Sequence, residues 1–331
     1  MARQRRKFNS GKVYEVIFRA RKGLPLPQTK YMTFLLEGII ARVQRNQKVL
    51  LHHYLFMSNH AHIIITVKDA RAATNFYGEI KKQLTEAIKK LLGLPQLNLW
   101  SHSSVIRLKN IKDVINRIAY IYANPTAADL EDSIELYPGL SSWELFQTVS
   151  PAVNAQTTSQ KDWVRLPLIP RLRTRSVTKR IDQHFTDKLK EAATKKHTLV
   201  IEPNSWMRCF RISSPDEVRE INQGIIRKLR DVEAGHRARR AKDGKRVLGA
   251  LRLRETPLMQ DFTPKKKSRA IFVICEDKKE RISYIKEFQE FCATCRLAFQ
   301  AWKNGEVLLP WPPGAFRPPM CPTASLVEYG Y

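Results

Sequence analysis

Two histidines, His60 and His62, stand one residue apart inside an apolar, isoleucine-rich run from Leu55 to Thr66. On a strand, alternate side chains share a face, so the pair can converge on one cation. A histidine on a half-buried strand is also commonly a hydrogen-bonded structural residue, and the pair alone does not choose between the two roles. A second segment bears on the choice. From Asn110 to Asn124 apolar residues fall at helical spacing, with Asn110 placed to cap the start and Pro125 placed to end it. Tyr120 and Asn124 then lie four apart on one helix face, where a phenol and an amide oxygen can address the same point, while Tyr122 points away. The structural alternative packs Tyr120 in the core and lets Asn124 cap the helix before proline. Taken with the histidines, the segment suggests a metal-assisted tyrosine nucleophile. A phenol ordinarily titrates near ~10, so such a nucleophile needs help to ionise at neutral pH, and no residue in the sequence identifies itself as the base.

The elements that would position these groups follow from periodicity. Strands are expected at 12–20, 49–57, 60–67 and 103–108, and helices at 30–46, 71–92 and 111–124. That order implies an α+β fold, an antiparallel sheet covered by helices. On helix 71–92, Lys81, Lys82, Lys89 and Lys90 lie beside apolar Ile80, Leu84, Ile88 and Leu91; such lysines form either a solvated face or a track for phosphates. Trp100, Tyr77 and Phe76 can either stack on bases or fill the core. Residues 1–10, with Arg3, Arg5, Arg6 and Lys7, read as a basic arm, disordered or in contact with DNA. Residues 11–146 read as a catalytic domain, and 147–170, rich in Thr, Ser, Gln and Pro, as a linker.

Residues 171–331 read as a mostly helical, basic C-terminal domain. It contains basic stretches at 171–196 and 225–254, the second with Arg237, Arg239, Arg240, Lys245 and Arg246, and an amphipathic helix from Glu280 to Trp302. The basic stretches suit either DNA contact or a plain surface, since no helix-turn-helix or zinc-finger spacing is present. The five cysteines, at 209, 275, 292, 295 and 321, are too scattered for a disulfide scaffold, and the pair Cys292 and Cys295 on a helix suits core packing better than zinc. No secretory leader and no bilayer-spanning apolar run is expected. No glycine-rich phosphate loop calls for a nucleotide cofactor. The 331 residues hold 58 Lys+Arg against 31 Asp+Glu, a formal net charge of +27. The excess is shared by residues 1–150 and 151–331, which favours a polyanionic partner contacted along much of the molecule.

Several segments carry a family resemblance. Ser58 to Ile65 resembles the histidine-hydrophobic-histidine motif of the HUH nucleases, and Tyr120 to Leu130 resembles the tyrosine-helix segment of REP-associated tyrosine transposases. Val13 to Ala20 is similar to that family's first strand, Trp100 with Val105 to Arg107 to its pre-helix segment, and Tyr137 to Trp143 to its closing motif. The likeness runs in order over roughly residues 10–145. Two departures are Thr126 to Ala128 in place of a small basic stretch and Tyr122 where histidine is frequent. The C-terminal half resembles the extension of longer members around Lys245 to Gly249 and Leu309 to Pro313.

The resemblance implies an HUH-type, ferredoxin-like antiparallel sheet. It implies a single-stranded DNA transposase or endonuclease in which Tyr120 attacks a phosphodiester, leaving a 5′-phosphotyrosine and a 3′-hydroxyl able to reverse the reaction onto another end. His60, His62 and Asn124 would hold Mg²⁺ or Mn²⁺. Lys81, Lys82, Lys89, Arg107, Arg237, Arg239 and Arg240 are the candidate DNA contacts. The implied partner is single-stranded or hairpin DNA, engaged by a monomer or homodimer in the bacterial cytoplasm near the nucleoid, with no membrane. Two other functions stay open: a non-catalytic or domesticated DNA-binding regulator, and an HUH replication initiator or relaxase.

Overall fold

The computed structural model describes residues 6–263, 273–306, 310–315 and 318. Arg3 and Arg5 of the basic arm, Leu309 and Cys321 lie outside the described residues. The chain forms β1 (Val13–Arg19), α1 (Lys30–Gln44), β2 (Val49–Met57), β3 (His60–Val67), α2 (Ala70–Leu92), β4 (Ser104–Leu108), α3 (Ile111–Tyr122) and α4 (Asn124–Ala127). It continues through α5 (Trp143–Thr148), β5 (Thr157–Val164), α6 (Lys179–Glu191), β6 (Ala193–Ile201), α7 (Pro215–Lys242), α8 (Ala250–Arg254), β7 (Val273–Ile274) and α9 (Lys278–Lys303). A five-stranded sheet in the order β2-β3-β1-β4-β7 lies at the centre. Its pairings are antiparallel except that of β4 with β7. The α+β expectation therefore holds, and the first seven elements fall within two residues of their expected bounds.

The sheet is apolar on both faces, and alternation along its strands sorts the side chains between two helical layers. Tyr14, Val16 and Phe18 of β1 join Ile63 and Ile65 of β3 in a core beneath α1 and α2. Val13 and Ile17 join Ile64, Ile106 and Leu108 in a second core with Val114, Ile118 and Ile121 of α3 and Val218, Ile225 and Leu229 of α7. Trp100, Tyr77 and Phe76, which could have stacked on bases, are buried in the first core. The indole N–H of Trp100 donates to the Lys81 carbonyl at 3.0 Å. The described end of the basic arm is also packed: Phe8 is in that core, and the Lys7 ammonium pairs with Glu287 of α9.

The segment 147–170, expected as a linker, holds β5, which pairs antiparallel with β6 over its whole length. This hairpin lies so close on α1 that a Cβ at Gly38 would stand 2.3 Å from the Asp162 carbonyl oxygen, which makes glycine a packing requirement there. Next to it, Asp182 of α6 accepts from the first free amides of α1, Lys30 N at 2.8 Å and Tyr31 N at 3.1 Å. The C-terminal half thus supplies side chains to both cores of the N-terminal half. Cys275 and Cys295 pack with Tyr284, Phe288 and Phe291 in a third cluster around α9. Among the described residues no helix is long and apolar enough to cross a membrane.

His52 and His53 fasten the C-terminal half to the sheet. His52 is the extra residue of a bulge in β2, so both neighbouring imidazoles are buried. His52 Nδ1 donates to the Glu202 carbonyl at 2.8 Å and Nε2 accepts from the Thr66 hydroxyl at 2.8 Å. His53 Nε2 donates to the Pro203 carbonyl at 3.0 Å and Nδ1 accepts from the Tyr122 hydroxyl at 2.9 Å. Burial, only partly offset by these bonds, pushes His52 down to about 4 and His53 down to about 3. In the unfolded chain both titrate near ~6.5. Below that value the unfolded state binds more protons, so their contribution to stability is whole above pH ~6.5 and declines as pH falls toward the folded values. Urea denaturation should show a loss of about 2 kcal/mol per histidine between pH 6.5 and pH 5. A flat profile over that window would show that the two imidazoles are not held neutral.

Candidate active site

The site lies on the α3 side of the sheet, at the end where β2 turns into β3. Helix α3 starts at a reciprocal cap: the Asn110 side chain accepts from Asp113 N at 2.9 Å, and the Asp113 carboxylate accepts from Asn110 N at 3.2 Å. Its apolar stripe of Val114, Ile118 and Ile121 is buried on the sheet. Tyr122 is buried with them, its hydroxyl near Ser142 as well as His53. Tyr120 faces the other way and is 43 % exposed. Pro125 follows the end of α3 at Tyr122, as expected. It sits in the first turn of α4, where its missing N–H goes unused, and the chain turns on to Ala127.

On β3, His60 and His62 point to the same face with ring centroids 5.0 Å apart. The Tyr120 ring meets His62 edge to face at 6.2 Å. The structure therefore brings together the three side chains that the sequence singled out from two distant segments. Asn124 lies one turn beyond Tyr120. Its amide nitrogen donates to the carbonyls of Tyr120 at 2.9 Å and Ile121 at 3.1 Å, which leaves the amide oxygen to address other groups.

Two residues of this site were not singled out in the sequence. Glu15, on β1, is 0 % exposed. Its carboxylate accepts from His62 Nδ1 at 2.6 Å and, through both oxygens, from Arg117 Nε at 2.6 Å and Nη2 at 2.9 Å. Burial pushes Glu15 up, but the Arg117 charge and the bonds from His62 and Arg117 outweigh it and hold the carboxyl below its ordinary value. Arg117 in turn lays its guanidinium 4.1 Å from the centre of the Tyr120 ring. The signal for Glu15 was a lone carboxylate among Val13, Tyr14, Val16 and Ile17, because a charge in an apolar strand is retained only when paired.

The ring nitrogens of both histidines are assigned by their partners. His62 Nδ1 donates to Glu15, and His60 Nδ1 donates to the Asn59 amide oxygen at 2.6 Å. In its neutral form each imidazole then carries its lone pair on Nε2, the tautomer a metal ligand needs, with a carboxylate behind His62 to orient it. Two imidazole nitrogens and the Asn124 oxygen form a donor set compatible with Mg²⁺ or Mn²⁺. Among the described residues no group of three or more His, Cys, Asp or Glu could hold a metal ion. A cation at the histidine pair would therefore take its remaining ligands from Asn124, water or phosphate.

The basic candidates separate by position. Lys81, Lys82 and Lys89 lie on α2, across the sheet from Tyr120. Lys81 donates to Ser103 Oγ at 3.0 Å and the Ser101 carbonyl at 3.2 Å. Burial, then the charges of Arg6 and Arg21, push Lys81 down to about 8. Lys82 is well exposed, and Lys89 pairs with Glu86 at 3.0 Å. Arg107 is also on the α2 side, opposite Tyr14 in register, and donates to the Tyr14 hydroxyl at 3.3 Å. Arg240 requires a correction. It is 4 % exposed and braces the chain behind the site, donating to the Thr126 carbonyl and Asp129 at 3.2 Å and pairing with Asp132. Arg239 and Arg237 donate to the same stretch, at the Ala127 carbonyl, Asp129 and the Asp132 carbonyl. The packing of α7 on α3 and α4 buries Arg240, while Arg237 and Arg239 stay partly exposed beside it.

Fold and site together define a protein with an exposed tyrosine beside a histidine pair on an antiparallel sheet. No family model and no curated protein matches the chain. Among solved structures, one described as "Structure of the REP associates tyrosine transposase bound to a REP hairpin" is similar at 23% identity. The match covers 44% of this chain and 86% of that chain, with a TM-score of 0.39.

Proposed function

We propose that this protein is a single-stranded DNA endonuclease and strand transferase of the tyrosine transposase type, with Tyr120 as nucleophile. The observation that carries the reading is the meeting of Tyr120 with His60 and His62. In the reaction, the Tyr120 oxygen bonds to phosphorus as the phosphorus–oxygen bond to the 3′ oxygen breaks. The phenol gives up its proton and the leaving oxygen takes one, so the products are a 5′-phosphotyrosine and a 3′-hydroxyl. The bond energy stays in the covalent link, and strand transfer needs no nucleotide. A Mg²⁺ or Mn²⁺ ion held by His60, His62 and Asn124 would supply positive charge at the phosphate. The net charge of +27 supports a nucleic-acid partner through counterion release. Of the candidate phosphate contacts on α2, Lys82 is largely exposed, on the face of the sheet opposite Tyr120.

The test is incubation with a panel of labelled single-stranded hairpin oligonucleotides in Mg²⁺ or Mn²⁺, read as a covalent protein–DNA band. The expected band requires the cation and vanishes with a chelator. Tight, salt-sensitive binding without any band across the panel would replace this reading with that of a non-catalytic DNA-binding protein.

A further inference from the structure

We propose that Arg117 is the positioning residue for Tyr120, locking the phenol ring beside the histidine pair through a buried carboxylate that also orients His62. The inference rests on the reading of Tyr120 as nucleophile and adds a group that neither the histidine pair nor the tyrosine segment implies.

The need for such a group follows from exposure. Tyr120 projects from a helix into an open corner, and among the described residues no hydrogen bond holds its hydroxyl. A side chain in that position samples several rotamers, whereas in-line attack requires the oxygen within a few tenths of an ångström of one place. Arg117 precedes it by one helical turn, on the same face. Its side chain is 13 % exposed and is held by a two-point fork from Nε and Nη2 to Glu15. The flat guanidinium is thus a fixed surface, and the Tyr120 ring lies on it at 4.1 Å with the His62 ring at its edge. Arg19, paired in register with His60, brings a second guanidinium within electrostatic reach of the phenol.

The same Glu15 oxygen, Oε1, accepts from both Arg117 Nη2 and His62 Nδ1. One buried carboxylate therefore sets the position of the nucleophile and of a histidine that would bind the cation, and their separation is fixed by a single rigid unit. Lysine cannot replace Arg117 in this role. Its ammonium is a point charge on a flexible stem, without a planar face for the ring or a fork for the carboxylate.

The experiment compares the full-length parent with Arg117→Lys and Arg117→Gln. Three quantities are read: the single-turnover rate of adduct formation at saturating hairpin DNA, the DNA dissociation constant, and the ¹⁹F spectrum of 3-fluorotyrosine placed at position 120. The expected result is a rate reduced by about 100-fold in both variants, with DNA affinity within about twofold of the parent. The fluorine resonance should move from a shifted, broadened line in the parent to a narrow line at the free-tyrosine position. A parental rate in Arg117→Lys, or an unchanged fluorine line in either variant, overturns the proposal. If the variants do not fold, the parent decides: a fluorine line matching that of the urea-unfolded chain means that the ring is not held. A parent that forms no adduct defeats the nucleophile reading alone, and the fluorine line still decides whether Arg117 holds the ring.

Discussion

Tyr120→Phe is expected to bind hairpin DNA as the parent does and to form no covalent adduct, a loss on the order of 10³-fold or more in rate. The substitution removes one exposed oxygen and leaves every contact by which the ring is placed. The guanidinium of Arg117 still lies over the ring face, and the His62 edge contact survives. No hydrogen bond of the fold involves the Tyr120 hydroxyl among the described residues, so thermal stability should stay within about 0.5 kcal/mol of the parent. Tyr122→Phe is the matched comparison. Its hydroxyl is buried between His53 and Ser142, so removing it should lower stability by about 1–2 kcal/mol while adduct formation persists. The two tyrosines are two residues apart on one helix, and opposite results from them would separate chemistry from packing. An adduct that survived in Tyr120→Phe and disappeared in Tyr122→Phe would assign the nucleophile to the wrong face of α3.

The parts of this site that could be read from the sequence are those whose meaning is local. Alternation on a strand puts His60 and His62 on one face, and a four-residue interval puts Tyr120 and Asn124 on one side of a helix. Neither inference requires knowledge of the tertiary fold. Glu15 is different in kind. Its partners are 47 and 102 residues away, and a single carboxylate in β1 does not announce which charges will surround it. Arg240 was misread for a related reason: within a run of arginines every one resembles a surface cation until the packing of α7 on α4 buries one of them. The hairpin strand β5 was missed because Thr157 to Asp162 is polar on both faces. Its pairing with β6 and its approach to Gly38 supply the order that hydrophobic alternation usually signals. The bulge at His52 was illegible too, since it depends on the register that β2 adopts against β3.

Glu15→Ala should be the most destabilising single change in the site, lowering unfolding free energy by about 3–5 kcal/mol. The carboxylate is fully buried and is the only anion paired with Arg117 among the described residues, so truncation leaves a guanidinium with its fork unfilled and removes the acceptor of His62 Nδ1. Glu15→Gln separates this structural role from the charge behind His62. The amide oxygen can stand where Oε1 does and keep the bonds from Arg117 Nη2 and His62 Nδ1, with the NH₂ turned toward Arg117 Nε, but the negative charge behind His62 is gone. The imidazole becomes a weaker donor without a carboxylate behind it, and Mn²⁺ affinity should fall by about 10–100-fold even where the protein remains folded. Urea denaturation measures the first effect and a Mn²⁺ titration the second. Parental stability in Glu15→Ala would mean that Arg117 and His62 find other partners, and the rigid unit joining nucleophile to histidine would not exist. Parental Mn²⁺ affinity in a folded Glu15→Gln protein would mean that the cation does not depend on the carboxylate behind His62.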